Sequence, residues 1–238
     1  MNQVSVHPPA PAAPRVSVVI PCFNQGRYLD EAIQSAIQQT GVQPEVIVVD
    51  DASTDATARI ASSHPQVRLV RLSRNGGLAN ARNAGLGIAT GEFVVFLDAD
   101  DYLRPGALAA GVGCLIAEPD AGLAFGRYVR VNDHGAVIDS PEPIDIHEDA
   151  YSALLARNFV EMIATVTFRT EAIEQAGGLD RSLRACEDYD LLLRIARTKR
   201  VLQHNTTAAC YRMHDRNMSS NNALMLRTSI RALRKQRS

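Results

Sequence analysis

The chain has 238 residues, and its 25 Lys and Arg against 26 Asp and Glu leave a formal net charge of -1 at pH 7. This balance gives no overall attraction to nucleic acid, so we expect no nucleic-acid partner. A hydrophobic content of 46% is typical of a globular domain, and no apolar run approaches the length that spans a membrane.

The N-terminal residues are rich in proline and alanine, and they lack the basic segment and apolar core of a signal peptide. We therefore expect residues 1–14 to be a flexible lead-in and the protein to be cytoplasmic. The four cysteines are far apart and form no CxxC pair, so we expect free thiols rather than disulfides or a zinc site.

In chain order, the first half alternates short apolar strands with amphipathic helices. Strands are predicted at 16–20, 45–49, 67–72 and 93–97. Helices are predicted at 28–39, from the cap residues 53–55 to about 63, at 78–89, and from Pro105 onward. This alternation requires a parallel sheet with helices on both faces.

The second half is less regular. Strands are predicted at 123–131, 136–138, 164–168 and 208–212, helices at 151–157, 170–176 and 188–197, a hairpin turn at 132–135, and a loop at 140–148. No repeat or long linker interrupts the pattern. We expect one domain over residues 15–220, in lobes 15–120 and 121–220, followed by a basic tail at 221–238.

Three acids follow the apolar run 93–97, namely Asp98, Asp100 and Asp101. Carboxylates cannot continue a buried strand, so they lie at its carboxyl end, where α/β proteins bind ligands. Acids this close repel each other unless a cation is present, and Mg²⁺ or Mn²⁺ on oxygen ligands often bridges to phosphates. The alternative is an acidic loop that only caps the next helix.

Two further strand ends, residues 21–24 and the pair Asp50–Asp51, open at the same edge of the sheet. Neither GxGxxG nor a P-loop follows the first strand, so a carboxylate-bound ion is the obvious candidate for binding phosphates. Asp50 or Asp51 can accept the imide N–H of uracil, or can cap a helix. Arg82 can reach a phosphate or base, or can be an ordinary surface arginine.

Two residues of the second half are candidates for chemistry. Asp188 faces inward at the start of a helix, where a carboxylate suits either a general base or an N-cap. His214 follows the last predicted strand, and it suits a metal or pyrophosphate contact or an ordinary structural histidine.

Taken together, four segments resemble the inverting glycosyltransferases of family two, which have the GT-A fold. They are VVIPCFN at 18–24, VVDDASTD at 48–55, NGGLANARNAG at 75–85 with ATG at 89–91, and FLDADD at 96–101, with weaker similarity at 187–194 and 211–214. The resemblance runs from about residue 16 to 220, and the ordered set is specific. It implies an α/β fold with a mostly parallel central sheet, a nucleotide-sugar-binding lobe at 15–120 and an acceptor lobe at 121–220.

The resemblance implies transfer of a sugar from a nucleotide-diphosphate sugar, expected to be a UDP-sugar, to the hydroxyl of a glycan or lipid-linked acceptor in surface polysaccharide or glycolipid synthesis. Asp188 corresponds to the catalytic base, and Asp98, Asp100 and His214 correspond to the ligands of a Mn²⁺ or Mg²⁺ ion. The resemblance assigns to the nucleotide Pro21, Phe23, Asn24, Asp50, Asp51, Gly77, Arg82, Asp98 and Ala99.

Two positions depart from the family pattern. Phe23 stands where many relatives have tyrosine, so a hydroxyl contact is lost while stacking remains. Ala52 stands where glycine is usual, so its turn is expected to avoid dihedral angles that only glycine adopts. Two alternatives stay open: a sugar-phosphate nucleotidyltransferase, although residues 21–26 lack its Gly-rich basic loop, and a non-catalytic nucleotide-sugar-binding protein, although such a protein has no reason to keep the costly acids.

The tail at 221–238 has five Lys or Arg residues and no acid. Leu226, Ile230 and Leu233 recur at helical spacing, beside a stripe of arginines at 227, 231 and 234. Such a helix can lie on an anionic membrane, which would make the protein peripheral on its inner face. Alternatively, the helix packs this apolar stripe on the domain and leaves its arginines in solvent.

Overall fold

The computed structural model describes residues 13–142, 149–215 and 217–237. The lead-in expected at 1–14 lies almost wholly outside the described residues, as does most of the loop expected at 140–148. The strands are β1 (Arg15–Cys22), β2 (Gln43–Asp50), β3 (Val67–Arg71), β4 (Phe93–Phe96), β5 (Tyr102–Leu103), β6 (Ala121–Val131), β7 (Val137–Asp139), β8 (Val166–Arg169) and β9 (Arg200–Arg212). The α-helices are α1 (Gly26–Ile37), α2 (Thr57–Ser62), α3 (Leu78–Leu86), α4 (Ala107–Ala117), α5 (Ala150–Ala156), α6 (Thr170–Gln175), α7 (Glu187–Ala196) and α8 (Asn222–Lys235).

The strands form a single mixed sheet in the order β3-β2-β1-β4-β8-β6-β9-β5, with β7 paired to β6. The pairs β1–β2, β1–β4, β2–β3 and β6–β9 are parallel, and they include the longest pairings. Strand β8 joins the two halves because it is antiparallel to both β4 and β6. The predicted α/β fold with a mostly parallel sheet is confirmed.

A hydrophobic core lies on each face of the sheet. Side chains of β1 alternate between the cores, with Val18 and Ile20 in one and Val19 in the other. Because both faces are covered, β1, β2 and β4 contain nearly continuous apolar runs, whereas the outer strand β3 is only half-buried and carries exposed arginines. Helix α1 buries Leu29 and Ile33 completely in the first core. Each such side chain contributes about 1.5–3 kcal/mol through burial.

Glycine brings α3 unusually close to the sheet. A Cβ atom on Gly85 would overlap the side chain of Val19 and lie 3.1 Å from Val49 Cγ2. Only hydrogen at this position lets the helix rest directly on β1 and β2. The close approach fixes the depth of the whole helix, including Arg82 one turn earlier.

Several predicted boundaries are wrong for local reasons. Helix α3 ends at Leu86, with Gly87 as its C-cap, and does not reach Ala89. Helix α4 begins at Ala107 rather than near Pro105, because Gly106 adopts a left-handed conformation with φ of 80°. Strand β1 continues through Pro21, which lies beyond the end of β4 and so blocks no hydrogen bond on that side.

Two differences are larger. Strand β9 has 13 residues, since its parallel pairing with β6 extends the strand predicted at 208–212 back to Arg200. Its first residues are mostly half-buried and polar, and they therefore carry no apolar signal. The strand predicted at 164–168 begins instead with a 3₁₀ turn at Ile163–Thr165, where Thr165 Oγ1 donates to the carbonyl of Met162.

Helix α8 packs on the domain mainly through small residues, and of the predicted apolar stripe only Leu233 packs against the core. Thr228 and Ala232 are buried, whereas Leu226 is 63% exposed and Ile230 is 40% exposed. Small side chains let α8 approach α7, and the Thr228 hydroxyl is satisfied by the carbonyl of Leu224 at 2.8 Å. Among the described residues, no helix has the length and apolarity needed to cross a membrane.

Candidate active site

A cavity of about 510 Å³ opens at the carboxyl ends of β1, β2 and β4. One side, the strand-end wall, is formed by residues 21–23, 25, 51, 75, 77, 78, 81, 82 and 98–101. The other side, the α7–α8 wall, is formed by residues 161–163, 185–188, 211, 217–219 and 225. Of the residues predicted from the sequence, the cavity is lined by Pro21, Phe23, Asp51, Gly77, Arg82, Asp98, Ala99, Asp100 and Asp188.

Asp50 and Asp51 have different surroundings. Asp51 lines the cavity, and its two carboxylate oxygens accept the backbone N–H groups of Gly76 and Gly77 at 2.8 and 2.9 Å. Asp50 does not line it, because its carboxylate accepts the Ser53 N–H and the guanidinium of Arg71 instead. The sequence could not distinguish these neighbours, whose side chains leave the strand end on opposite sides.

Asn24 is also outside the cavity lining. Its side-chain oxygen accepts the N–H of Thr54 at 2.8 Å, and its own N–H donates to Ser53 Oγ. These bonds join the ends of β1 and β2. Next to them, Ala52 has φ of 64°, in the left-handed region that favours glycine. The turn therefore does not avoid this region as expected, and alanine tolerates it at a cost of about 1 kcal/mol.

Arg82 joins the two walls. Its guanidinium, only 1% exposed, donates to Asp98 Oδ1 at 2.6 Å and to Glu187 Oε1 at 2.8 Å. Burial alone would lower the pKa of Arg82, but the charges of Asp98 and Glu187 raise it, so the arginine stays charged. An ordinary surface role is thereby excluded. The position of Arg82 on α3 fixes the distance between the acidic loop and the start of α7.

Arg212, which sequence reasoning did not single out, holds the acidic loop from behind. Its Nε donates to the carbonyl of Asp100 at 2.9 Å, and its backbone N–H donates to Asp101 Oδ1 at 2.8 Å. The guanidinium also contacts Asp133 and Glu31. Burial raises the pKa of Asp101 well above its usual value. An arginine at the end of a strand predicted to be buried is itself a sign of such a pairing.

Asp100 faces the cavity and is partly engaged by polar neighbours. Its Oδ2 lies 3.0 Å from His214 Nε2 and accepts the amide of Gln25 at 3.1 Å. The His214 ring stacks on Tyr28 at 5.3 Å. His214 thus lies beside Asp100 but does not line the cavity. This position agrees only in part with the prediction that His214 contacts a metal ion.

The predicted metal ligands are not assembled as a closed site. Among the residues described, no group of three His, Cys, Asp or Glu is arranged to hold a metal ion. Asp98 is turned toward Arg82, whereas Asp100 and His214 face each other. Two carboxylates and an imidazole are nevertheless ligands that suit Mn²⁺ or Mg²⁺, and both carboxylates line the cavity, so the donor chemistry fits.

Asp188 lies in the first turn of α7, and it lines the cavity from the opposite side. It is not the N-cap, which is Cys186 in a left-handed conformation with φ of 56°. Its carboxylate accepts the Tyr189 N–H at 2.7 Å. Burial raises the pKa of Asp188, while the nearby Arg82 lowers it. A carboxylate with raised proton affinity is suited to accept a proton from a substrate.

Sequence reasoning also missed the apolar part of the α7–α8 wall. Met162, Met218 and Met225 line the cavity, together with Glu161. Glu161 has φ of 55°, and its carboxylate accepts the Tyr128 hydroxyl at 2.6 Å. These residues come from separate loops and from α8, and no motif marks them. They place three methionine side chains on this wall.

Two solved structures share this fold. The mannosyltransferase PcManGT from Pyrobaculum calidifontis, in complex with GDP-Man and Mn²⁺, aligns with a TM-score of 0.72 and 25% identity, over 95% of this chain and 66% of that one. S. aureus TarS 1-349, in complex with UDP-GlcNAc, aligns with a TM-score of 0.70 and 21% identity, over 91% of this chain and 66% of that one. The fold is therefore that of the GT-A glycosyltransferases.

The family follows from the sequence comparison. The model of glycosyl transferase family 2 matches residues 17–175, and the chain belongs to this family. A curated relative, the succinoglycan biosynthesis protein ExoO of Rhizobium meliloti, is 36% identical over 202 residues, which is 79% of this chain. The chain spans 57% of the length of that relative.

Proposed function

We propose that the chain transfers a sugar, with inversion, from a nucleotide-diphosphate sugar to an acceptor hydroxyl. The supporting observation is a single cavity that brings Asp51, Asp98 and Asp100 on one wall opposite Asp188 on the other. Members of the family and the solved structures with this fold are glycosyltransferases. The name of the relative ExoO favours an extracellular or surface polysaccharide as the product.

In the proposed reaction, Asp188 accepts the proton of the acceptor hydroxyl while its oxygen attacks the anomeric carbon. The new bond joins that oxygen to the anomeric carbon, and the bond from the anomeric carbon to the phosphate oxygen breaks. The nucleoside diphosphate leaves with the electron pair on the opposite face. One displacement inverts the configuration, and no second carboxylate has to act as acid.

We assign the nucleotide to the strand-end wall. Phe23 is 46% exposed beside the cavity, where its ring can stack on a base. Asp51 keeps lone pairs for an imide N–H after binding two backbone groups, which favours uracil. We therefore propose a UDP-sugar as donor, with Pro21, Gly77 and the Asp98–Ala99 segment closing the wall around it.

A Mn²⁺ or Mg²⁺ ion would be held by Asp100, with Asp98 and His214 nearby, and bound there it would neutralise the developing charge on the diphosphate. The protein contributes the positions of these side chains. Arg212 and Gln25 hold Asp100 from two sides, and Arg82 holds Asp98. PcManGT was solved with Mn²⁺, which favours the same chemistry here.

The donor can be identified by thermal shift with UDP- and GDP-sugars, each with and without Mn²⁺, because preferential binding to the folded protein raises the Tm. A rise with one UDP-sugar that requires Mn²⁺ is expected. A GDP-sugar that stabilises the protein more than any UDP-sugar would overturn the uracil assignment. Release of UDP from that donor separates an enzyme from a protein that only binds it.

Asp100→Ala is expected to abolish the metal-dependent part of donor binding, because it removes the carboxylate that faces the cavity. Asp120→Ala removes an exposed acid outside the cavity lining, and serves as the matched control. Equal Mn²⁺-dependent Tm shifts in wild type and Asp100→Ala would refute the metal assignment.

The acceptor is proposed to be a glycan or lipid-linked glycan, bound against the methionines of the α7–α8 wall, and we propose that the reaction takes place in the cytoplasm. A nucleotidyltransferase is disfavoured, since the segment after β1 presents a half-exposed phenylalanine where a basic triphosphate-binding loop would be needed. Incubation with a sugar phosphate and UTP tests this alternative directly: formation of pyrophosphate would support it.

A further inference from the structure

We infer that the outward face of α8 binds an anionic lipid surface. This face is defined here as Leu226, Arg227, Ile230, Arg234 and Arg237, and all five side chains are exposed. At 3.6 residues per turn, the four positions within α8 fall within about 100° of the helix circumference, and Arg237 follows the C-cap residue Gln236. Two apolar side chains therefore lie directly beside three guanidinium groups on a surface of the folded protein.

The rest of α8 is held firmly on the domain. Thr228 Oγ1 and Ser229 Oγ both lie 3.4 Å from the Cys186 thiol. Lys235 Nζ lies 2.8 Å from Asp180 Oδ2 and 2.7 Å from Asp190 Oδ1. Because these contacts involve the opposite face, the outward face needs no unfolding to become available. Leu226 and Ile230 stay exposed although the helix is docked.

The charge of this surface fits phosphates. Helix α8 contains no acid. In the loop that precedes α7, Arg181 and Arg184 are exposed as well. That loop is adjacent, because Arg231 NH1 donates to the carbonyl of Ser182 at 3.1 Å. The acid of that loop, Asp180, forms an ion pair with Lys235 and so does not offset the arginines. In a chain with a net charge of -1, this local positive excess is complementary to anionic headgroups.

The same helix also forms part of the cavity. Met225 lines the cavity, while the next residue, Leu226, points outward. Met218, which is 45% exposed, lies at the cavity too. Binding of the outward face to a bilayer would therefore hold the cavity beside the lipid surface. This inference rests on the surface of α8 and remains valid whatever reaction the cavity performs.

The experiment measures partition of the full chain onto vesicles of phosphatidylcholine, with and without phosphatidylglycerol, at low and high salt. Wild type is expected to bind only the anionic vesicles, and less at high salt. Arg227→Gln with Arg234→Gln should weaken binding roughly 30-fold, or five- to sixfold for each charge. Leu226→Ser with Ile230→Ser should weaken it at least about tenfold.

The matched control is Arg59→Gln with Arg200→Gln, which removes two exposed charges on α2 and β9. The control should bind as wild type does, and all variants should keep the wild-type Tm because the substituted side chains are exposed. Equal binding to both kinds of vesicle, or equal loss in the control, would overturn the inference. So would a concentration-dependent dimer that the α8 variants dissociate, since a second copy would then cover this face.

Discussion

On the strand-end wall of the cavity, Asp51 and Asp98 are held by backbone N–H groups and by a buried guanidinium, at the ends of parallel strands. On the α7–α8 wall, Asp188 lies two residues after Cys186, which has a left-handed conformation and contacts Thr228 of α8. The side chains of the first wall are positioned by the ends of the parallel strands. The second depends on side chains from distant segments, so we expect substitutions there to affect turnover before they affect donor binding.

Asp188→Asn tests this difference most directly. The amide is nearly isosteric and can still accept the Tyr189 N–H, but it cannot take a proton. We expect unchanged donor affinity and a loss of about 10²–10⁴-fold in kcat. Asp149→Asn, at the start of α5 and away from the cavity, should leave kcat unchanged. A loss below tenfold would leave Asp188 with a structural role only.

Arg82→Met tests the link between the walls. It leaves the buried carboxylate of Glu187 and the half-buried carboxylate of Asp98 without their common cation, which should cost about 3–5 kcal/mol of unfolding free energy. Arg200→Met, which removes an exposed ion pair with Glu118, should cost less than about 1 kcal/mol. Denaturant titration of both variants provides the comparison, and equal small losses would show that the two walls are not coupled through Arg82.

The pH dependence of the free energy of unfolding gives a second test of the contact between Arg82 and Glu187. Burial raises the pKa of Glu187 to about 7, against the opposing effect of Arg82. The folded protein then binds more protons than the unfolded chain between about pH 4.5 and 7, so ionisation of Glu187 lowers stability as the pH rises through this window. Glu187→Gln should match wild type near pH 5 and become progressively more stable than wild type toward pH 8.

Glu45 provides a control of opposite sign. Although burial opposes it, hydrogen bonds from Ser17, Thr90 and Arg68 lower the pKa of Glu45. Its stabilisation is therefore complete above the usual pKa of a glutamate and is lost only as the pH falls below that value. Glu45→Gln should destabilise the protein by the same amount at every pH from 5 to 8. A similar flat profile for Glu187→Gln would contradict the raised pKa.

The smallest effect is expected at the turn after β2, next to the strand-end wall. Ala52→Gly removes the cost of φ at 64°, and this gain is partly offset by the greater freedom of glycine in the unfolded chain. We expect a gain of about 0.5 kcal/mol. Ala176→Gly, where φ is -75°, should instead lose about 0.5–1 kcal/mol. A loss at both positions would show that the turn holds alanine without strain.

The same contrast explains what the sequence could predict. The strand-end wall consists of contiguous motifs at strand ends, so the sequence predicts that Pro21, Asp51, Asp98 and Asp100 lie at one edge of the sheet. The motifs could not show in which direction each side chain points: Asp50 and Asp51 are neighbours, yet only Asp51 lines the cavity. Contacts such as that between Arg82 and Glu187, 105 residues apart, depend on packing depth and leave no local pattern.

The α7–α8 wall was predicted less completely for a related reason. The apolar spacing of α8 correctly predicted a helix but the wrong buried face, because small residues such as Ala232 can pack more closely than leucine. The shape of α7 decides which residues of α8 are buried, and the sequence of α8 carries no information about that shape. The methionines of this wall likewise have no spacing in common.

The contacts of Arg212 have a consequence for how the molecule folds. This one side chain binds partners that are 80, 112 and 181 residues away in sequence. Such contacts close long loops, and their entropic cost places them late in folding. During synthesis, a chain that has reached residue 120 contains the first five strands and the acids of the strand-end wall, but not the arginine that holds the acidic loop. The ability to bind a donor should therefore appear in a nascent chain only after residue 212 has left the ribosome.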